Sequence, residues 1–457
     1  MARVFVSFLG TNNYIRCNYH FDKNVNETTY QPKETRFVQE AIIGNVCQRW
    51  SAADKIKILL TEEAEEKNWN DEGHKDKNGK TLRVDDVGKP MSGLKTQLEK
   101  INLSAKIEPV RGVKDGNSIE DIWEIFSTIE NMVDREDTLW LDITNGFRSL
   151  PMLLMLLLQY LKVTKNIKIG GIYYGAFEKL GPVYKVKNMA LEKRNAPIID
   201  LTAFHVLQTW TEGTDTFKTY GDARRIKEAI EDYCNSLPLP KETGDKQLCV
   251  KKMESLAAVI NSICLQIHTA RGKEIVEGKS IREAKDLITE LENEEILPPL
   301  KTLLHLIEKK IEEYESDDVK NGFISVKWCI EHSLVQQGIT LLQETVITKI
   351  LSEARMGWNE KTKRELAKRA INNLNNTKNG SNPQKNKKND VTSKLQEIII
   401  SYEELAENYK ALTKMRNDIN HGGYLDENDN KAGKPDDFLD GLKSSYLSIN
   451  ECFKKVR

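Results

Sequence analysis

The residues with the greatest chemical capacity lie close together near the end of the chain, in Arg416-Asn417-Asp418-Ile419-Asn420-His421-Gly422-Gly423. Histidine exchanges protons near neutral pH. Arginine grips two phosphate oxygens with its planar fork and stabilises charge that builds on them. These two residue types suit cleavage of RNA, which carries its own nucleophile in the 2′-hydroxyl. Such a reaction needs proton transfer, a cation against the phosphorane charge and an in-line geometry, so no metal is expected. Asn417 and His421 stand four apart and share a helix face, and Arg416 reaches the same region with its long side chain. One histidine per chain makes a sparse site, which two copies across a dimer seam would complete. The spacing alone also fits a helix-capping histidine beside a surface arginine.

These residues need a helix to hold them. Gly422 and Gly423 supply the stop that helix C-termini favour, and an amphipathic pattern over 395–420 leads into them, placing His421 in the last turn. From about residue 191 onward helical periodicity dominates, over 220–234, 246–272, 280–291, 297–314, 321–354, 362–374, 395–420 and 438–454. Residues 191–457 are therefore expected to be all-α. Within them a polar tract at about 372–394 (NNLNNTKNGSNPQKNKKNDVTSK) is expected to be a mobile loop.

Residues 1–190 read differently. Strand-like runs near 4–9, 55–61, 105–110, 138–143 and 167–174 alternate with helical ones near 34–50, 118–133 and 150–161. That alternation predicts an α/β domain with a parallel sheet. The helix at 150–161 is apolar nearly all round, as in a core or at a dimer seam. Two loops follow strands: Gly10-Thr11-Asn12-Asn13 after the first, and Thr144-Asn145-Gly146-Phe147-Arg148 before the apolar helix, with Ser149 as its expected cap and Pro151 in its first turn. Ligands of open parallel sheets bind beyond the strand carboxyl ends. Backbone N–H groups with Thr and Asn side chains there suit phosphates and nucleobase edges, although the same residues also serve ordinary turns.

Lys plus Arg (68) balance Asp plus Glu (69), so any attraction for RNA must be local. The seven cysteines are scattered, without C-x-x-C spacing or a Cys/His cluster of zinc type. The chain opens straight into a strand-like run, and its longest apolar stretch, 150–158, is about half of what spans a bilayer. A cytoplasmic address without membrane contact is expected. His205, His268, His305 and His332 are expected on helices without metal-like partners.

The segments SFLGTNNY, LDITNGFRSLP and GGIYYGAFE, in this order, resemble the CARF domain of type III CRISPR accessory proteins. WCIEHSLVQQGITLLQE (residues 328–344) and RNDINH resemble the HEPN ribonuclease domain of the same proteins, the latter as its R-x-x-x-x-H motif. The resemblance implies a Rossmann-like CARF domain followed by a helical HEPN domain, assembled as a homodimer. Cyclic oligoadenylate, four adenylates in preference to six, would bind across the paired CARF domains and switch on cleavage of single-stranded RNA. Arg416 and His421 would be catalytic with Asn417 in support. Gly10, Thr11, Asn12, Asn13, Thr144, Asn145, Gly146, Phe147 and Arg148 would line the ligand site. The alternative is a non-catalytic sensor whose helical part docks a partner. Residues 235–320 carry no matching motif.

Overall fold

The computed structural model describes residues 1–21, 34–146, 149–236, 244–294, 296, 298–378, 390–402, 404–424 and 432–455. The chain divides into two compact units, 1–208 with 232–241 and 209–231 with 242–457. The long helix Thr202–Tyr220 contributes residues to both.

The first unit is built on seven strands: β1 (Arg3–Phe8), β2 (Asn18–Phe21), β3 (Lys55–Leu59), β4 (Lys106–Val110), β5 (Thr138–Asp142), β6 (Lys168–Gly175) and β7 (Asn195–Asp200). Their order across the sheet is β2-β7-β6-β5-β1-β3-β4. Every pairing is parallel except β6 with β7. Alternate residues of a strand face opposite sides, and β1 shows what that positions. Phe5 enters one core with Phe37, Ile42 and Ile43 of the helix Val38–Val46, while Val4, Val6 and Phe8 enter the other with Ile125, Ile129 and the leucines of Leu150–Lys165. Both faces of the sheet are thus covered, as a parallel sheet requires.

The α/β reading of residues 1–190 holds with β2 added, and β7 corrects the all-α expectation for 191–457, since the sheet continues past residue 190. β2 is only four residues long, and β7 contains Pro197, which argues against a central strand. Pro197 pairs with β2 but falls outside the register with β6, which starts at Ile198, so its missing N–H costs no ladder bond there. Pro109, by contrast, sits in the edge strand β4, where a proline is tolerated.

The second unit is helical. Its central element is the helix Val335–Glu353, with Ile339, Leu341, Leu342, Val346, Ile347, Ile350 and Leu351 buried. Two helices expected to be continuous are broken. Ser333, at φ +56°, separates Lys320–Glu331 from Val335–Glu353, and Glu404, at φ +62°, precedes Leu405–Asn420 after Asp390–Ser401. A left-handed residue ends helical hydrogen bonding, and side-chain periodicity does not report it. The expected loop at 372–394 is shorter than its composition suggests: Lys361–Lys378 and Asp390–Ser401 are helices, and 379–389 lie outside the described residues. Asn and Lys carry only modest helix penalties, so a polar run can extend an established helix. Among the described residues no helix is long and apolar enough to cross a membrane.

Candidate functional site

In the first unit Ser7 of β1 lies beside Asp142 of β5, so the loops that follow leave the same sheet edge. Apart from β2, which lies at the far edge beside β7, the chain winds from β1 out to β3 and β4, then returns to β5 and proceeds the other way to β6 and β7. The β1/β5 crevice is therefore the point where winding reverses, the place where open α/β sheets take ligands. Gly10, Thr11, Asn12 and Asn13 from one loop and Thr144, Asn145 and Gly146 from the other are brought together there; Phe147 and Arg148 lie outside the described residues. The Tyr14 hydroxyl donates to Asn145 Oδ1 at 3.1 Å and joins the loops. Gly10 packs against that bond: a Cβ there would collide with the Tyr14 hydroxyl.

Each loop is braced from within. Asp142 is buried; its Oδ1 accepts the N–H (3.0 Å) and hydroxyl (2.5 Å) of Thr144, and its Oδ2 accepts the Ser7 hydroxyl (2.7 Å). Burial pushes this carboxyl above the ordinary range while the Thr144 and Ser7 bonds hold it down. Thr144 Oγ1 in turn accepts the Gly175 N–H at 2.8 Å. Behind the first loop, Asn68 donates from Nδ2 to the carbonyls of Gly10 and Asn12, both at 2.9 Å. Asn68 Oδ1 accepts from His74 Nε2 at 3.0 Å, which assigns that nitrogen its proton. Arg36 bonds Asn13 Oδ1 (3.3 Å) and the Tyr14 carbonyl (3.2 Å). Ser149 occupies the N-cap of Leu150–Lys165 but, contrary to expectation, makes no side-chain cap bond.

Burial first, then the charges of Arg36 and Lys67, push the His74 imidazole down to about 4. A histidine whose folded pKa lies below its unfolded value takes up its proton more readily when unfolded, so the contribution is intact above about pH 6.5 and fades as pH falls toward 4. Thermal unfolding followed from pH 7 to pH 4.5 is expected to show a falling midpoint whose slope is reduced in His74→Gln.

In the second unit the helix Leu405–Asn420 ends one residue before His421, which is its C-cap rather than part of its last turn; the His421 N–H still bonds the Asn417 carbonyl at 2.9 Å. Gly422 (φ +64°) and Gly423 (φ +77°) then reverse the chain, a conformation glycine adopts without strain. Asn417 and His421 are exposed, and Arg416 is half-buried. Arg416 Nη1 donates to Gln343 Oε1 at 3.0 Å, while its Nε is enclosed without an acceptor among the described residues. Gln336 donates to Asn420 Oδ1 at 3.2 Å, so it touches this helix rather than serving only in packing.

Sequence reasoning passed over Tyr14, Asn68, Asp142 and Gln343. Tyr14, Asp142 and Gln343 stand inside the quoted motifs; Asn68 carries no signal. His305 also differs from expectation: its ring, Glu292 and Glu308 bring ligand-capable atoms within 4.8 Å of one another on an exposed surface, with His305 Nδ1 3.3 Å from Glu308.

The fold and its switch-point crevice define an open α/β domain of the ligand-binding class, and comparison with known proteins says what it is similar to. Residues 4–178 match the family described as CRISPR system endoribonuclease Csx1, CARF domain, and residues 206–318 match the second domain of CRISPR-associated protein MJ1674. The latter covers most of the stretch that carried no recognised motif. CRISPR-associated protein MJ1674 of Methanocaldococcus jannaschii is 24% identical over 318 residues, 68% of this chain and 45% of that relative, so the chain spans less than half the relative's length. By these matches the chain is similar to CARF-containing, CRISPR-associated proteins. Arg416 and His421 lie beyond both matched ranges.

Proposed function

We propose that the protein is a homodimeric, metal-independent endoribonuclease that cleaves single-stranded RNA when cyclic oligoadenylate, a cyclic tetra-adenylate by preference, occupies the paired CARF domains, in the service of type III CRISPR defence. The observation that carries this reading is the end of Leu405–Asn420. There an exposed histidine and a half-buried arginine stand five residues apart, in a chain whose N-terminal region matches a CARF domain.

The chemistry follows from those groups. One imidazole takes the 2′-hydroxyl proton as that oxygen attacks phosphorus, Arg416 faces the phosphorane oxygens, and a protonated imidazole returns a proton to the departing 5′-oxygen, leaving a 2′,3′-cyclic phosphate. Two histidines are needed for the two roles, so the second comes from a second copy.

The dimer has support in the first unit. Along Leu150–Lys165, Met152 (73% exposed), Leu156 (67%) and Val163 (79%) form an outward apolar stripe opposite the buried leucines, and Ile119 and Trp123 of the neighbouring helix Ile119–Met132 extend it. Apolar patches of this kind mark interaction surfaces.

The test is cleavage of a fluorescent single-stranded RNA in EDTA with a panel of cyclic tri-, tetra- and hexa-adenylate. Cleavage appearing only with a cyclic oligoadenylate is expected. Tight binding of the nucleotide without any cleavage would instead favour a sensor that docks a partner.

A further inference from the structure

We propose that Gln343 is the positioning residue of the cleavage site: it orients the Arg416 guanidinium toward the scissile phosphate without touching RNA. The inference rests on the reading of Arg416 as the group that stabilises the phosphorane. Gln343 is 1% exposed, a buried amide that follows Leu341 and Leu342 in Val335–Glu353. A buried amide there is costly unless both of its ends are bonded, and both are. Nε2 donates to Thr413 Oγ1 at 2.8 Å, and Oε1 accepts from Arg416 Nη1 at 3.0 Å.

The direction of these bonds is fixed. Thr413 commits its hydroxyl proton to the Tyr409 carbonyl at 2.9 Å, so its oxygen can only accept, and the amide must present Oε1 to the arginine. Seven residues earlier, two turns along the same face, Gln336 grips Asn420 beside His421. The helix Val335–Glu353 thus holds the catalytic helix at two points, and the buried one sets the guanidinium. With Nη1 held and Nε enclosed, the outer Nη2 edge of the guanidinium is what is left to meet a phosphate.

The experiment uses the full chain with cyclic oligoadenylate. Gln343→Met, close in volume and without hydrogen-bonding ends, is expected to lower kcat about 10- to 100-fold with KM within about threefold, the pattern of an interaction made in the transition state. Phenylglyoxal modification of Arg416, read by peptide mass spectrometry without activator or RNA, is expected to run several-fold faster than in wild type at an unchanged melting temperature. Thr413→Val, which frees the amide to flip and leaves the core filled, should move both readouts the same way by a smaller factor; it decides the matter if Gln343→Met fails to fold. Wild-type kcat and wild-type modification rates in the folded variants overturn the proposal. If Arg416→Ala cleaves like wild type, the reading of the site has failed, and the modification rates still report whether Gln343 holds the arginine.

Discussion

Replacing His421 with alanine is expected to lower activated RNA cleavage at least about 10²- to 10³-fold, and Arg416→Ala should cost a comparable factor. A positioned general acid or base contributes about 10²–10⁴, and removing one preorganised donor from a developing oxyanion about 10²–10³. The two losses have different origins, which the kinetics separate. His421 is exposed at a helix C-cap, so its loss leaves the fold and RNA affinity intact and appears in kcat, together with disappearance of the bell in the pH–rate profile. Arg416 is half-buried against Gln343, and Arg416→Ala also leaves that amide oxygen unsatisfied, so a drop of a few degrees in melting temperature accompanies the kinetic loss. Arg416→Lys restores charge but not the planar fork and is expected to recover little. Wild-type cleavage by His421→Ala, with purity confirmed, would remove the ribonuclease reading altogether.

The second large effect concerns assembly. Leu156→Asp is expected to convert a dimer into a monomer in light scattering and to abolish ligand-activated cleavage. Leu156 is 67% exposed in the isolated chain, so a charge there scarcely perturbs folding; surface changes of this kind stay within about 0.5 kcal/mol. At a two-fold seam the same substitution enters twice. Each buried, unpaired carboxylate costs several kcal/mol, and at 1.4 kcal/mol per tenfold the dimerisation constant weakens by at least about 10²-fold. Any loss of cleavage in this variant acts through the partner, because Leu156 belongs to the unit that does not contain His421. A variant that remains dimeric would show that the stripe serves another surface.

Much of this molecule was decided by local pattern. The short apolar run of β1, the alternation of strands and helices up to β6 and the apolar stretch of Leu150–Lys165 are legible because the length and period of a buried run follow the backbone that carries it. The Arg416–His421 spacing and the paired glycines after it declare a helix end for the same reason. Non-local contacts carry no such period. That β1 and β5 are neighbours follows from the winding of the chain, and only this adjacency lets Tyr14 reach Asn145 and Ser7 reach Asp142. Asn68, 58 residues from Gly10, braces that loop through a contact no spacing announces. Gln343 lies 73 residues before Arg416, and nothing sets its amide apart from the other polar residues of its helix until the second helix is laid against it. The sequence determined which groups can do chemistry and which elements carry them. Tertiary structure decided which polar groups satisfy one another, because a buried hydrogen bond is settled by packing between distant segments and leaves no mark on either segment alone.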